Sequence, residues 1–382
     1  MNYALSAMNR YAFLILPSHN RVYADAAPTL ARAELAVLSA ALPDGRIEGE
    51  SVAETAIGGV PYVTFAASEL SQRDVGLLAN LSSLYALFEA AGPAGAGGLA
   101  GELLRPVPLR RLDRFDDDLL TILKYPGKTN EQFTKLLLNV TLASSAFARE
   151  LETRRLSVLD PLCGRGTTLN QALMYGFDAF GADIDARDVE AYAVFVQRWL
   201  KDKRLKHQAD FSPVRRDRKV VARRLTAEFA ATKDEYKAGD VQRLDVVEAD
   251  TTRVGEFFRP GSADLVVADL PYGVQHGSHA SHGTGHSTGR AGGERSRDGS
   301  RTLARSPLEL LRAAAPAWAR ALRPGGAAGI AWNTRVARRE DAAEALTAAG
   351  LVVLDDGPYR AFRHRVDQAI TRDILIARKP AS

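Results

Sequence analysis

The chain has 382 residues, 46% of them hydrophobic and 25% charged, with a formal net charge of +4. That length exceeds what one hydrophobic core usually holds and points to two domains, while the composition excludes a disordered, collagen-like or coiled-coil chain. No apolar run reaches the ~18 residues of a membrane span, and the N-terminus lacks the basic start and cleavage site of a secretory leader. The single cysteine, Cys163, rules out an internal disulfide and a multi-cysteine zinc site. A cytoplasmic setting is expected.

In chain order, an apolar strand from Tyr11 to Leu16 precedes an alanine-rich helix near 27–41. A Gly58-Gly59 turn then leads into the strand VPYVTF, and a second helix follows from about Ser71 to Ala90. Residues 91–101, AGPAGAGGLAG, carry five glycines and no charge, which reads as a flexible domain boundary. Residues 1–100 are thus expected to form a small α+β domain, a candidate for substrate binding.

A mixed-charge connector, RPVPLRRLDRFDDDLL, leads to a larger domain over 115–382. Its strands are short apolar runs at 156–160, 177–184, 244–250, 263–270 and 326–332, with one more in the tail QAITRDILIARK. Helices are expected near 131–150, 168–175, 187–200, 219–235 and 307–322. This alternation predicts an α/β fold with a doubly wound, mostly parallel sheet and ligands at the carboxyl ends of its strands.

Two segments stand apart. Residues 201–224 hold ten Lys/Arg against three aspartates, which suits either an anionic partner, nucleic acid first, or a solvated helical face. Residues 275–301 are Gly, Ser, His and Arg with almost nothing apolar, so a mobile insertion is expected. Its His276, His279, His282 and His286 have no cysteine or well-placed acid to complete a metal set, and no metal is expected. Its place just after Tyr272 suits a lid over substrate.

The chemistry concentrates in two motifs. The first, Asp160-Pro161-Leu162-Cys163-Gly164-Arg165-Gly166-Thr167-Thr168, follows a strand and opens a helix, the context of a glycine-rich cofactor loop. The next strand ends in Asp183-Ile184-Asp185, placing an acid where dinucleotide folds hold ribose hydroxyls. The loop reads GRGTT rather than GxGxxG, a departure from a nicotinamide site. The second motif, Asp269-Leu270-Pro271-Tyr272-Gly273, ends a strand, because Pro271 cannot continue the ladder. Asp269 and the Leu270 carbonyl can accept hydrogen bonds from an amino group, and Tyr272 can stack on a planar ring. The same turn also suits a purely structural role. Gly127-Lys128-Thr129 is not a phosphate loop, since Ile122 stands where the first glycine is needed. Thr129 to Gln132 fits a capping box, and Phe133, Leu136, Leu137, Val140 and Phe147 give a helical apolar face.

Together these motifs resemble the S-adenosylmethionine-dependent amino-methyltransferases, with their DPxCGxGT loop and (D/N/S)-x-P-(Y/F) tetrapeptide. LDPLCGRGTTLNQA, GADID, EADTT and DLPYG are most similar, in order and spacing over about 120–382, to the tRNA guanosine N2-methyltransferases. LRPGG at 322–326 resembles the turn before a late strand of these enzymes. The resemblance implies a Rossmann-like methyltransferase domain with S-adenosylmethionine as cofactor. It implies cofactor contacts from Asp160, Pro161, Cys163, Gly164, Gly166, Thr167, Asp183, Ile184, Asp250 and Thr251. Asp183 would face the ribose and Asp250 the adenine amine. Asp269, Leu270, Pro271 and Tyr272 would hold the target nitrogen, and the segment TILKYPGKTNEQFTKLLLN would close over the methionine end.

The same tetrapeptide serves adenine N6, cytosine N4, guanine N2 and amide nitrogens. The expected substrate is nucleic acid, RNA before DNA. The alternatives are a DNA amino-methyltransferase, an enzyme of small-molecule or peptide amines, and last a non-catalytic nucleic-acid binder. Cys163 reads as a small packed residue rather than a nucleophile. The Tyr359, Phe362, Arg363, His364 and Arg365 cluster suits either substrate contact or an ordinary exposed turn.

Overall fold

The computed structural model describes residues 8–42, 47–91, 103–125, 127–151, 153–272 and 306–381. Gly273, the insertion at 275–301 and its four histidines lie outside them. Among the described residues no helix is long and apolar enough to cross a membrane.

The N-terminal module is a five-stranded antiparallel sheet backed by a long helix. Its strands are β1 (Asn9–Ile15), β2 (Ala53–Ile57), β3 (Val60–Ala67), β4 (Leu84–Ala91) and β5 (Leu103–Val107), in the order β2-β3-β1-β4-β5. Helix α1 (Arg21–Ala41) is capped by the Asn20 side chain, which accepts from the Tyr23 N–H. It buries Leu30, Ala31, Leu35 and Val37, a core in which each large apolar side chain contributes roughly 1.5–3 kcal/mol.

Two expectations fail here. The helix starting at Ser71 is capped as its sequence suggests but stops at Leu78 (α2, Gln72–Leu78), and LYALFEAA continues as a strand. Its Leu, Ala and Glu residues favour helix locally, yet pairing with β1 on one side and β5 on the other overrides that preference. The glycine-rich stretch 91–101 joins β4 to β5, with Ala91 opposite Leu103, so the sheet runs to Val107 instead of ending at residue 100. Gly and Pro mark a chain reversal as readily as a linker.

The larger sheet has the order β13-β15-β12-β11-β6-β7-β10-β9-β8, with β14 on β15. Its five central strands are parallel: β10 (Gln242–Glu248), β7 (Asp178–Asp183), β6 (Ser157–Asp160), β11 (Ala263–Asp269) and β12 (Leu322–Asn333). β6 is buried along its whole length and β11 up to its last residue, as expected of parallel strands covered on both faces. Beyond β12 lie β15 (Thr371–Arg378), antiparallel to it, then β13 (Val352–Leu354); β14 (His364–Arg365) pairs with the start of β15. After the short α3 (Asp118–Thr121), the covering helices include α4 (Glu131–Ala143), α5 (Thr167–Met174), α6 (Ala186–Asp202) and Pro307–Ala321. This is the expected α/β fold with a doubly wound, mostly parallel sheet.

The expected helix near 219–235 is mostly a strand. β8 (His207–Arg216) and β9 (Lys219–Phe229) form a hairpin that extends the sheet antiparallel to β10. Asp217 and Arg218 both take positive φ, 48° and 63°, as a two-residue primed turn demands. Neither is glycine, so the usual turn signal is missing from the sequence. The basic segment is therefore no solvated helical face.

The two units share one core, and a polar seam joins them. Glu34 of α1, 1% exposed, accepts from the Ser82 N–H at 3.0 Å, the Ser82 hydroxyl at 2.6 Å and the Asn139 amide of α4 at 2.7 Å. Tyr175 donates to the Asn139 carbonyl at 2.9 Å. Burial pushes the Glu34 carboxyl up to about 7.

Candidate active site

The sheet reverses direction between β6 and β11, since β6 leads on to β7 on one side and β11 to β12 on the other. Ligands of open α/β sheets bind at such a point, outside the carboxyl ends of the strands. Asp160 ends β6, Asp183 ends β7 and Asp269 ends β11, so three of the singled-out acids border one crevice.

The glycine loop is shaped by backbone. Gly164 and Gly166 take φ of 48° and 80°, a region that side chains disfavour. A β-carbon on Gly166 would overlap the Tyr192 ring, so only glycine lets the chain turn into α5 there. The Cys163 N–H donates to the Ala182 carbonyl at 3.0 Å, tying the loop to β7. Asp183 accepts from the Gly164 N–H at 2.7 Å with one oxygen and from the Asp185 N–H at 2.9 Å with the other. Burial raises its pKa. Asp160, 4% exposed, accepts from the Leu162 N–H at 3.1 Å. Burial, with Asp183 and Asp269 nearby, pushes Asp160 up to about 7. Among the described residues no cation pairs with it. A buried acid without a counter-charge is a place for a positively charged ligand.

The approach segment folds against this loop. The Tyr125 and Thr167 hydroxyls lie 3.1 Å apart, and Asn170 donates to the Leu119 carbonyl at 3.0 Å. Arg165 stacks over the Tyr125 ring at 4.9 Å while pairing with Asp188 at 2.8 Å. Pro161 and Cys163 are buried, and burial pushes the Cys163 thiol well up, which makes it inert packing. Ile184 is half-buried behind Asp183. Asp250 caps the turn Thr251–Glu256 by accepting from the Thr252 N–H at 2.8 Å. The buried Thr251 hydroxyl accepts from the Trp318 indole at 3.0 Å, so its side chain is engaged in packing.

The Asp269 end is arranged differently from the sequence expectation. Tyr272 does not stand free for stacking: its hydroxyl donates to the Asp269 carboxylate, at 2.6 and 2.7 Å from the two oxygens. Arg372 of β15 donates to the Tyr272 hydroxyl, lies 3.8 Å from Asp269, and sits over the Tyr272 ring at 5.0 Å. Thr129 donates to Asp269 at 2.8 Å. The helix cap falls on Asn130, which accepts from the Phe133 N–H at 3.1 Å, and this leaves the Thr129 hydroxyl for the carboxylate. Burial raises the Tyr272 pKa well above the usual phenol value, so the ring remains a donor. Leu270 is buried and its N–H bonds the Ala331 carbonyl at 2.8 Å, while Pro271 is exposed. The Thr129 and Tyr272 hydroxyls thus already occupy the Asp269 carboxylate.

Sequence reasoning missed Arg372 and the role of Thr129 at Asp269. Nothing local marks Arg372, which reads as one charge in a C-terminal strand.

The basic hairpin shares this edge of the sheet. β9 runs antiparallel to β10 with Arg224 opposite Val247, so the tip at Arg216–Lys219 projects past the carboxyl end of β10. Arg216 anchors it by donating to Glu256 at 2.9 Å. Arg215, Arg218 and Lys219 are exposed there, and no ion pair holds them among the described residues.

No family model and no curated protein matches this sequence. Solved structures with some similarity include a TehB-like SAM-dependent methyltransferase from Corynebacterium glutamicum, at 16% identity over 61% of this chain and 85% of that one, with a TM-score of 0.30. Another is the N-methyltransferase NodS from Bradyrhizobium japonicum, at 13% identity over 65% and 95%, with a TM-score of 0.35. An rRNA methylase from Streptococcus thermophilus aligns at 8% identity over 59% and 87%, with a TM-score of 0.30.

Proposed function

We propose that the chain is an S-adenosylmethionine-dependent N-methyltransferase acting on the exocyclic amino group of a nucleobase, with guanosine N2 in tRNA as the leading acceptor. The observation that carries this reading is the convergence of Asp160, Asp183 and Asp269 on one crevice at the reversal of the sheet. Asp269 there is followed directly by the Leu270-Pro271-Tyr272 turn. The residues present fit the cofactor: among the described residues the buried Asp160 has no counter-charge, and a β-carbon on Gly164 would point into open space, leaving its backbone accessible to a ligand.

In this reading the 160–167 loop borders the methionine end, Asp183 accepts from the ribose hydroxyls, Ile184 flanks the adenine and Asp250 accepts from its amine. Pro161, Cys163 and Thr251 contribute through backbone shape. When bound, S-adenosylmethionine supplies a methyl group on a sulfonium, whose transfer needs alignment more than acid catalysis. The lone pair of a ring amine is delocalised, so the amine must be aimed and polarised. Asp269 does this by accepting one N–H, and the Leu270 carbonyl is the second acceptor. Thr129, Tyr272 and Arg372 hold the Asp269 carboxylate in position. A paired base has to leave its stack to reach this point.

The exposed cations at the hairpin tip support a polyanionic substrate, and the order of the motifs favours guanosine. The test is methyl transfer from radiolabelled S-adenosylmethionine into total RNA, with genomic DNA and a small-molecule extract in parallel. Label recovered as N2-methylguanosine is the expected result. Label only in DNA or in the extract overturns the acceptor, and a protein that binds no S-adenosylmethionine overturns the reading.

A further inference from the structure

A cavity of about 710 Å³ lies between the N-terminal module and the α/β domain. Sites for small molecules and single nucleotides fall in the range of roughly 300–1,000 Å³. One wall comes from the module, through the 16–20 turn and Tyr23 of α1. The other comes from Thr129, Gln171, His364 and Arg372. Two of these residues, Thr129 and Arg372, also touch Asp269, so the cavity and the candidate acceptor group share a wall.

Its lining holds buried polar atoms without partners. Among the described residues Gln171 Nε2, His364 Nε2 and Arg372 Nε have no hydrogen-bond partner, although their residues are only 2%, 7% and 4% exposed. Groups buried that deeply are nearly always paired, by protein, water or ligand. Each has a definite polarity. His364 Nδ1 lies 2.9 Å from the Phe362 carbonyl, which can only accept, so Nδ1 carries the proton and Nε2 is a bare acceptor. Burial pushes this imidazole down to about 4, which keeps it neutral. Arg372 Nε and Gln171 Nε2 are donors. His364 and Arg372 face each other across β14 and β15, and the Phe133 ring lies against both, 4.1 Å from the guanidinium and 5.3 Å from the imidazole. Across the lining Arg111, Lys128, Lys135, Arg365 and Arg372 outnumber Asp113, Asp117 and Glu131, so the cavity tolerates the phosphate of a nucleotide. Its three unpaired atoms ask for an N–H donor beside two acceptors.

We infer that this cavity is the acceptor chamber, taking a single planar nucleobase whose polar edge is read by His364, Arg372 and Gln171, with the N-terminal module as its outer wall. This rests on the methyltransferase reading above and assigns the module a role in that reading. Guanine, adenine and cytosine each offer an N–H donor next to ring acceptors, and they differ in the order of those atoms. The hairpin tip, on the outermost strands at the same carboxyl edge of the sheet, is left to hold the phosphate backbone.

The test is binding of guanosine, adenosine and cytidine 5′-monophosphate to the full chain saturated with S-adenosylhomocysteine, read by calorimetry and by the 15N shift of His364 Nε2. At least one nucleotide should bind and move that shift, and the tightest of the three names the base. Gln171→Leu and His364→Phe should each weaken it about 5- to 100-fold, the scale of leaving a buried polar partner unmatched. The charge reversal Lys237→Glu, at an exposed position outside the proposed binding surfaces, should leave it unchanged. Thermal melts of each variant separate lost binding from lost folding, and His364→Gln, which keeps an acceptor, should retain part of the affinity. If no nucleotide binds to protein that takes up S-adenosylhomocysteine normally, or if both variants bind like the parent, the chamber is refuted. If nucleotides bind as expected but S-adenosylhomocysteine does not, the chamber stands and the methyltransferase reading falls.

Discussion

The two halves of the crevice are built on opposite plans. On the glycine-loop side, Asp160 and Asp183 are held by backbone N–H groups of the strand ends and the loop between them, from Leu162, Gly164 and Asp185. On the other side, Asp269 is held by side chains brought from afar: Thr129 is 140 residues away, and the Arg372 that grips Tyr272 is 100 residues from that ring. Backbone donors are rigid and cost nothing to orient. Side-chain donors are exchangeable, because a hydroxyl that yields its place to a substrate amine leaves no strained backbone behind. A site that binds one invariant ligand suits the first plan, and one that must admit and release an acceptor suits the second.

The comparison can be broken first at Asp269. Asp269→Ala should lower methyl transfer by at least about 10³-fold, since in the proposed reading it removes the group that aims the amine, with the affinity for S-adenosylmethionine within about twofold of the parent. Thr129→Val removes one of several donors and should lower turnover by only about 5- to 20-fold, by the ordinary worth of a hydrogen bond to a charged group. Equal losses in the two variants would mean that the carboxylate acts only through a fixed network.

The glycine-loop half is sharpened by proton release. Asp160 stands at about 7 in the free protein because of burial, so near pH 6.5 it is partly protonated. A cation placed beside it lowers its pKa, and cofactor binding should then release up to one proton. The binding enthalpy at that pH should vary with the ionisation enthalpy of the buffer, and in Asp160→Asn the dependence should vanish.

The seam between the units gives the smallest effect. Glu34 is raised by burial from 4.5 to about 7, so the native state holds a proton that the unfolded chain gives up. Its contribution is complete below about pH 4.5 and is lost as the pH rises through about 7. Unfolding followed between pH 5 and 8 should show Glu34→Gln losing less stability over that window than the parent, by about 1–3 kcal/mol. Parallel slopes would remove Glu34 from the account.

The same contrast explains what could be read from the sequence. The glycine loop, Asp183 and the Asp269 turn were legible because their signals sit within a few residues of a strand end. Arg372 was not, since only the pairing of β15 with β12 and β14 brings it to Tyr272. Thr129 was read as part of a helix cap, a role that falls one residue later on Asn130. The hairpin at 207–229 was hidden by a turn of Asp217 and Arg218 where glycine is the usual sign. Residues 91–101 read as a domain boundary, and only the pairing of Ala91 with Leu103 shows that β4 and β5 belong to one sheet. Local chemistry fixes local structure, and contacts across more than a hundred residues need the fold.

The central claim is that one half of the crevice binds the cofactor and the other serves the acceptor. Calorimetric titration of S-adenosylmethionine into the parent, Asp183→Ala and Asp269→Ala tests it most directly. Loss of a buried acid that faces the ribose should weaken binding about 10- to 100-fold in Asp183→Ala, with Asp269→Ala close to the parent. If Asp269→Ala loses the cofactor while Asp183→Ala keeps it, the two halves have been assigned the wrong way round.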